Sequence, residues 1–447
     1  MMRRMRRSSG RHPAGLAVGQ AVAGLLLLAV GVAAVAFIGV RILGTDHIAA
    51  PDETQAVAAV TNTTTPEVAT ADEPRVPPLS AADTPSSHDP HAFVKGMTIS
   101  CQSWGWEWGT DDMVQSMEDL RALGVNWIAI HPYASIRDDG TVSWRYGRRG
   151  QEVPEGEVPT WLQRPIDEAH DLGMKIMIKP HLAYWGSGFS WRGDIRFETQ
   201  EQWERFFETY GTWVAQLAGI CKSADAFVVG TELDATLAGH DAQWREVVAQ
   251  VRGQYPTGVL TYAANWNTYD TVPFWDVLDV IGIQAYFPLV DMPAGVEVPG
   301  LVEHWQARSA TVPDIEKYAE PTPEQMAAAW KRIMNDLHTA SAKYGKPIVF
   351  TELGYNCSIL APYIPWDARM IGMSDGDGQQ EEEGAQVNPA ERVQRMCMAA
   401  ALDAIEQHHD VIRGAFLWKW FPGSRPHGDF AMASDAMKNV IKEEWGE

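Results

Sequence analysis

The sequence predicts a (β/α)₈ barrel, and three observations support this fold class. From residue 91 onward, short apolar runs alternate with longer amphipathic stretches, which is typical of proteins with parallel strands and covering helices. Eight such runs fall within about 350 residues, as one closed barrel requires. The first run ends in Ser100-Cys101-Gln102 rather than in the glycine-rich phosphate turn expected of a doubly wound sheet.

The eight apolar runs are the predicted strands, and six stretches between them are predicted helices. Glycine C-caps stand directly before strands at Leu123-Gly124-Val125 and Leu172-Gly173-Met174, and Lys343–Pro347 repeats the pattern. The predicted strands are Gly96–Ser100, Trp127–His131, Lys175–Pro180, Ala226–Gly230, Val259–Ala263, Val280–Ala285, Ile348–Thr351 and Gly414–Trp418. The predicted helices are Asp112–Leu123, Trp161–Leu172, Gln202–Ile220, Ala242–Val251, Pro323–Lys343 and Pro389–His408.

Two segments precede the barrel domain of residues 91–447. Residues 1–44 join a basic tail to an apolar run, Leu16 to Val40, long enough to cross a hydrocarbon core of about 30 Å. We expect an uncleaved transmembrane anchor, with its arginines in the cytoplasm and the barrel in the cell envelope or periplasm. Cleavage after Ala34-Val35-Ala36 and secretion are the alternative. Residues 45–90, rich in Pro, Thr, Ala and acidic residues, are predicted to be a disordered linker.

Composition narrows the class of ligand. The formal net charge is −22, so nucleic acid is an unfavourable partner, as is a polyanionic substrate. The chain contains 19 Trp, which suits either a large aromatic core or a surface that stacks on sugar rings. Several lie in predicted loops and favour the second interpretation; they are Trp104, Trp106, Trp108, Trp185 and Trp191. No metal site and no cofactor are predicted.

Two predicted strands end in a glutamate. Glu232 follows the fourth strand and Glu352 follows the seventh, each before a leucine. The active site of a (β/α)₈ barrel lies at the carboxyl ends of its strands. Retaining glycoside hydrolysis needs two carboxyl groups on either side of the scissile bond. A structural salt bridge is the alternative for one strand-end glutamate, but the pair favours catalysis.

These strand ends resemble glycoside hydrolase clan A, the retaining barrels with glutamates on strands 4 and 7. Within the clan the chain looks most like glycoside hydrolase family 113, whose characterised members are β-1,4-mannanases. The resemblance spans about residues 93–435 and rests on KGMTIS, IKPHL, VVGTEL, IGIQAYFPL, VFTELGY and the end of strand 8. It implies Glu232 as acid/base, Glu352 as nucleophile, Tyr286 as the hydroxyl that orients Glu352, and Trp418 as the platform beneath the sugar.

One position departs from the clan pattern. Many members carry Asn before the acid/base, where it binds the sugar 2-hydroxyl, and this chain has Thr231. Asn265, Asn267 or Lys179 could replace that contact, and His181 is a further candidate for binding substrate. Trp104, Trp185 and Trp191 are predicted to form sugar subsites.

Three other functions stay open at this point. The first is a β-glucanase or another β-glycosidase of the same clan, because mannose and glucose differ only at the 2-hydroxyl. The second is a membrane-tethered glycan-binding protein without catalysis, which the intact glutamate pair disfavours. The third is a metal-dependent hydrolase, for which a cluster of His and Asp at several strand ends would be expected.

Overall fold

A computed structural model describes residues 93–145, 158–297, 312, 315–372, 388–424, 428–430 and 432–446. The predicted anchor at residues 16–40 and the predicted linker at residues 45–90 lie outside the described part of the chain. Within that part, none of the helices is both long and apolar enough to span a bilayer.

Eight parallel strands close into a barrel, as predicted. In chain order they are β1 (Val94–Ile99), β2 (Trp127–Ile130), β3 (Lys175–Ile178), β4 (Ala226–Thr231), β5 (Val259–Asn265), β6 (Ile281–Ala285), β7 (Ile348–Leu353) and β8 (Ile412–Trp420). Each strand pairs with its neighbours in sequence, and β8 closes the barrel against β1, where Gly96 stands beside Phe416. A Cβ at Gly96 would lie 2.5 Å from that ring, so glycine is required for the close approach.

Helices surround the barrel. They are α1 (Asp111–Ala122), α2 (Thr160–Asp171), α3 (Gln200–Ile220), α4 (Asp241–Gln254), α5 (Pro323–Tyr344), α6 (Pro389–Gln407) and α7 (Asp435–Trp445). All six predicted helices are present within a few residues, and α7 is an addition. Between β5 and β6 the described chain forms two short 3₁₀ turns, Tyr269–Thr271 and Trp275–Val277, in place of a helix.

Local sequence explains where the longest helices begin. The side chains of Thr199 and Thr322 each accept a hydrogen bond from the backbone N–H of the third helical residue, a glutamine. The side chain of that glutamine accepts a hydrogen bond from the backbone N–H of the threonine in return. Pro323 occupies the first position of α5, where its missing N–H costs nothing. That helix ends at Gly345, whose φ of 64° is left-handed.

Much of the tryptophan content serves the core rather than the surface. The fully buried members of this set are Trp108, Trp213, Trp244, Trp275, Trp330 and Trp420. Trp108 was expected in a sugar-binding loop, and that expectation is wrong. Its ring is fully buried and its indole N–H donates to the carbonyl of Ile99 at 2.9 Å. A tryptophan in a loop can therefore anchor that loop to the barrel instead of facing substrate.

A second, three-stranded sheet sits beyond the ends of β2 and β3. Its strands are Tyr133–Ile136, Val142–Ser143 and His181–Ala183, with the first strand in the centre. The first pair is an antiparallel hairpin, and the third strand runs parallel to the first with Tyr133 beside His181. This sheet extends one wall of the barrel mouth outward and brings Tyr133 and His181 to the site described next.

Candidate active site

Glu232 and Glu352 both lie at the carboxyl end of the barrel. Glu352 is part of β7 and stands beside Gln284 of β6. Glu232 directly follows β4, and its N–H donates to the carbonyl of Ala263 at 2.9 Å. The backbone of Glu232 has a φ of 53°, a left-handed conformation that is strained for a residue with a Cβ. Such strain persists where the surrounding structure holds a side chain in a required direction.

Glu352 is a buried carboxylate that accepts hydrogen bonds from two side chains of the cleft wall and lies near a third. The Tyr286 hydroxyl donates to Oε2 at 2.5 Å, as the resemblance implied. The Lys179 ammonium donates to Oε1, and it also reaches the Thr351 carbonyl at 3.2 Å. His181 Nε2 lies 3.9 Å from the same Oε1. The side chain of Glu352 is only 4% exposed to solvent, and protein donors take the place of water at both of its oxygens.

Glu232 has different surroundings. Arg192 Nη1 donates to its Oε2 at 3.0 Å, and its side chain is 15% exposed. Burial raises the pKa of Glu232 to about 7; the guanidinium of Arg192 opposes that rise and the charge of Glu352 adds to it. At neutral pH a substantial fraction of Glu232 thus carries a proton. The two carboxyl groups are suited to different tasks, one as acid and one as acceptor.

An aromatic and imidazole stack forms the floor of the site. The Trp418 ring lies 5.4 Å from His131 and 6.2 Å from His181, and the Lys179 ammonium sits 4.9 Å from its centroid. His131 and His181 stack at 4.9 Å. Burial is the main cause that lowers the pKa of both imidazoles well below its usual value, so both are neutral at pH 7.

His181 has unused hydrogen-bonding capacity. Its side chain is 1% exposed, and neither ring nitrogen has a hydrogen-bond partner within the described residues. A neutral imidazole offers one donor and one acceptor. Buried polar atoms are normally satisfied, so the position of His181 beside Glu352 suits a ligand hydroxyl.

The other predicted binding residues divide into two groups. Asn265 is buried and donates to Asp234 at 2.8 Å, and Thr231 donates to the Pro180 carbonyl at 3.1 Å, so both side chains have protein partners. Asn267 is exposed near the mouth. Trp104 and Trp185 are 38% and 56% exposed and pack on either side of Tyr133, whereas Trp191 is half-buried.

Sequence reasoning missed three members of the site, one of which is His131 of the floor, predicted only as a strand end. Arg192 directly follows the predicted subsite residue Trp191, in the 3₁₀ turn Arg192–Asp194, and no spacing motif marks it. Tyr133 follows His131 and Pro132 after β2, and it contacts both His131 and His181. Its aromatic character at a strand end was the available signal.

Three side chains of types that can ligate a metal lie close together away from this site. His338, His408 and Asp410 bring one ligand atom each within 4.8 Å of one another, where α5 and α6 approach the amino ends of the strands. The two imidazoles hydrogen-bond directly at 2.9 Å. This group has no part in the chemistry at the opposite end of the barrel.

The family comparison agrees with this geometry. The model of Glycoside Hydrolase Family 113 matches residues 97–435, which is most of the chain and includes every strand end discussed above. The chain belongs to Glycoside Hydrolase Family 113. It is accordingly a glycoside hydrolase, and a glycan is its substrate. No curated protein sequence matched it.

Solved structures similar to this glycoside hydrolase share its fold. A family 113 β-mannanase from Alicyclobacillus acidocaldarius superposes with a TM-score of 0.59 at 23% identity, covering 79% of this chain and 97% of that one. A family 113 β-1,4-mannanase superposes with a TM-score of 0.57 at 21% identity, covering 79% and 98% of the two chains. At this level of identity the likeness establishes the barrel architecture.

Proposed function

We propose that the chain is a retaining glycoside hydrolase that cleaves β-1,4-linked mannan by double displacement. One observation carries the proposal: the two strand-end glutamates, each beside a cationic side chain, differ in their surroundings. Glu352 accepts bonds from Tyr286 and Lys179, whereas the pKa of Glu232 is raised to about 7. A retaining enzyme needs this division between an anionic nucleophile and a protonated acid.

The residues suggest a role for each group in the two steps. In the first, a Glu352 oxygen attacks the anomeric carbon while Glu232 transfers its proton to the leaving glycosidic oxygen. A covalent glycosyl-enzyme forms and the aglycone departs. In the second, Glu232, now ionised, takes a proton from water. The resulting hydroxide attacks the anomeric carbon and releases Glu352, so the configuration at that carbon is retained.

The choice of mannan rests on family membership and on the similar structures, which are β-mannanases and β-1,4-mannanases by description. Trp418 and the two neutral imidazoles form a floor suited to a sugar face and its hydroxyl groups. The same floor could hold glucose, so a β-glucanase is the principal alternative for the substrate.

A panel of polysaccharides tests the proposal. We expect wild-type protein to release reducing sugar from β-1,4-mannan faster than from β-1,4-glucan or xylan, with β-configured products by NMR. Glu352→Ala should release none. Faster hydrolysis of glucan would overturn the substrate assignment, and α-configured initial products would overturn the retaining mechanism. Binding of glycans without any hydrolysis would indicate the non-catalytic alternative.

A further inference from the structure

A second cavity of about 550 Å³ lies beside the catalytic cleft, on the hairpin of the three-stranded sheet. Tryptophan rings supply much of its wall, and two arginines are its charged members. The lining residues are Trp104, Trp106, Ser135, Ile136, Arg137, Ser143, Trp144, Arg145, Trp185 and Gly186. None of them carries a negative charge, in a chain whose formal net charge is −22.

Strand register explains why the two arginines share this cavity. Ser135 pairs with Ser143 in the antiparallel hairpin, so their side chains point to the same face. If the alternation continues past the strand ends, Arg137 lies on this face near the turn and Arg145 lies on it at the opposite end of the hairpin. The intervening Ile136 and its partner Val142 point largely to the opposite face and are buried.

Ring contacts through Tyr133 connect the tryptophans of the cavity with the catalytic floor. The Tyr133 ring lies 5.2 Å from His131, and it contacts Trp185 at 5.3 Å and Trp104 at 6.1 Å. A chain of rings thus runs from Trp418 beneath the glutamates to the tryptophans of the cavity. A glycan whose one sugar lies over Trp418 can place a later sugar there.

Among the described residues, three nearby acidic side chains accept hydrogen bonds from neighbouring residues, and one of them, Asp139, also interacts electrostatically with Arg137. Asp138 accepts from the Gly188 N–H, and Asp139 accepts from the Thr141 N–H and lies 3.6 Å from Arg205. Glu107 accepts from the Ser103 hydroxyl and from the Gln102 N–H. The guanidinium groups of Arg137 and Arg145 are both exposed. The wall of the cavity itself therefore presents two arginines and none of these carboxylates.

We propose that this cavity binds an acidic sugar, a uronic acid residue of the glycan, with its ring against tryptophan and its carboxylate on Arg137 and Arg145. Guanidinium groups match the planar carboxylate with paired hydrogen bonds, while indole rings cover the apolar face of the sugar. The inference rests on the proposed function in one respect: a glycan occupies the adjoining cleft. Such a cavity makes the enzyme selective for a β-glycan that carries uronic acid substituents at few of its sugars.

Binding without turnover tests this assignment. The full chain carrying Glu352→Gln is titrated calorimetrically with two oligosaccharides of equal length, one neutral and one bearing a single uronic acid. We expect the acidic ligand to bind about tenfold more tightly, as one charge-assisted contact predicts. Arg137→Gln with Arg145→Gln should bring the two Kd values together. Arg121→Gln, which removes an exposed charge from α1, should preserve the difference.

Several outcomes would overturn the assignment. They are equal affinities in the unaltered cavity, a difference that survives the double arginine variant, or a preference for a phosphorylated sugar with none for the uronic acid. Folding of each variant is checked by circular dichroism. The two proposals fail separately. Hydrolysis of neutral mannan with no acidic preference removes only the cavity assignment, whereas acidic binding without any turnover removes only the catalytic one.

Discussion

Arg192 places its guanidinium 3.0 Å from Oε2 of Glu232, so the carboxyl group proposed as proton donor lies against a positive charge. Burial raises the pKa of Glu232 to about 7 while Arg192 acts in the opposite direction. The first chemical step needs the protonated form. Activity should therefore be present below pH 7 and decline as the pH rises through this pKa.

Replacement of Arg192 by Gln should raise the pKa of Glu232 further, because the charge that favours ionisation is gone. We expect the alkaline limb of kcat/KM to move upward by about one pH unit or more. Arg196→Gln is the control, since it removes an exposed charge from the same loop. A limb that stays in place or moves to lower pH in Arg192→Gln would contradict this role for the guanidinium.

The two glutamates should respond differently to azide. Glu352→Ala should lose at least about 10⁴-fold in kcat on every substrate, because the glycosyl-enzyme has no other nucleophile to form it. Glu232→Ala should still be glycosylated by an activated aryl glycoside, whose leaving group needs little protonation, and then stall after a burst. Azide needs no deprotonation, so it should restore turnover there and give a β-glycosyl azide. Rescue of Glu352→Ala to a β-azide instead would show that the roles are reversed.

We expect His181 to hydrogen-bond the sugar 2-hydroxyl, next to the anomeric carbon. The other nearby candidates, Thr231 and Asn265, already donate hydrogen bonds to protein groups. We expect His181→Ala to lower kcat/KM on an aryl β-mannoside by about 10–100-fold, the range for an unmade hydrogen bond at a buried group. With the 2-deoxy substrate the same substitution should have little further effect. Asn267→Ala is the comparison. If the 2-hydroxy and 2-deoxy substrates have the same kcat/KM in Asn267→Ala but not in His181→Ala, then Asn267 makes the contact.

Residues 16–40 are proposed to anchor the enzyme in the membrane with the barrel outside the cytoplasm. The full-length protein should then sediment with membranes and resist extraction by high salt, because an apolar span is held by burial and not by charge. A chain beginning at residue 45 should stay in the supernatant. Recovery of a soluble natural form starting near Phe37 would establish cleavage.

The barrel and its two glutamates were predictable because both follow from local patterns. Parallel strands buried on both sides read as apolar runs, and the residue after each run marks the catalytic end of the barrel. Tyr286 and Trp418 stand at such strand ends too, and their roles were implied by the resemblance to clan A. No helix was predicted between β5 and β6, and the described chain there forms two short 3₁₀ turns with Phe274 and Trp275 buried.

Arg192 and the hairpin beyond β2 could not be predicted because their placement depends on contacts between distant parts of the chain. Arg192 reaches a residue 40 positions later. The hairpin strands are four and two residues long, too short for a periodic signal. The positions of Trp104 and Trp108 differ by four residues, yet one is exposed and the other is core. Composition alone could not separate them.

The left-handed backbone at Glu232 sets stability and catalysis against each other. Glycine adopts this conformation without steric cost, whereas a side chain there costs about 1–2 kcal/mol. A Glu232→Gly variant should consequently be inactive, and its relief of strain is opposed by the greater unfolded-chain entropy of glycine and by loss of the bond to Arg192. Glutamate at position 232 thus marks where the fold forgoes stability that a purely structural barrel would keep.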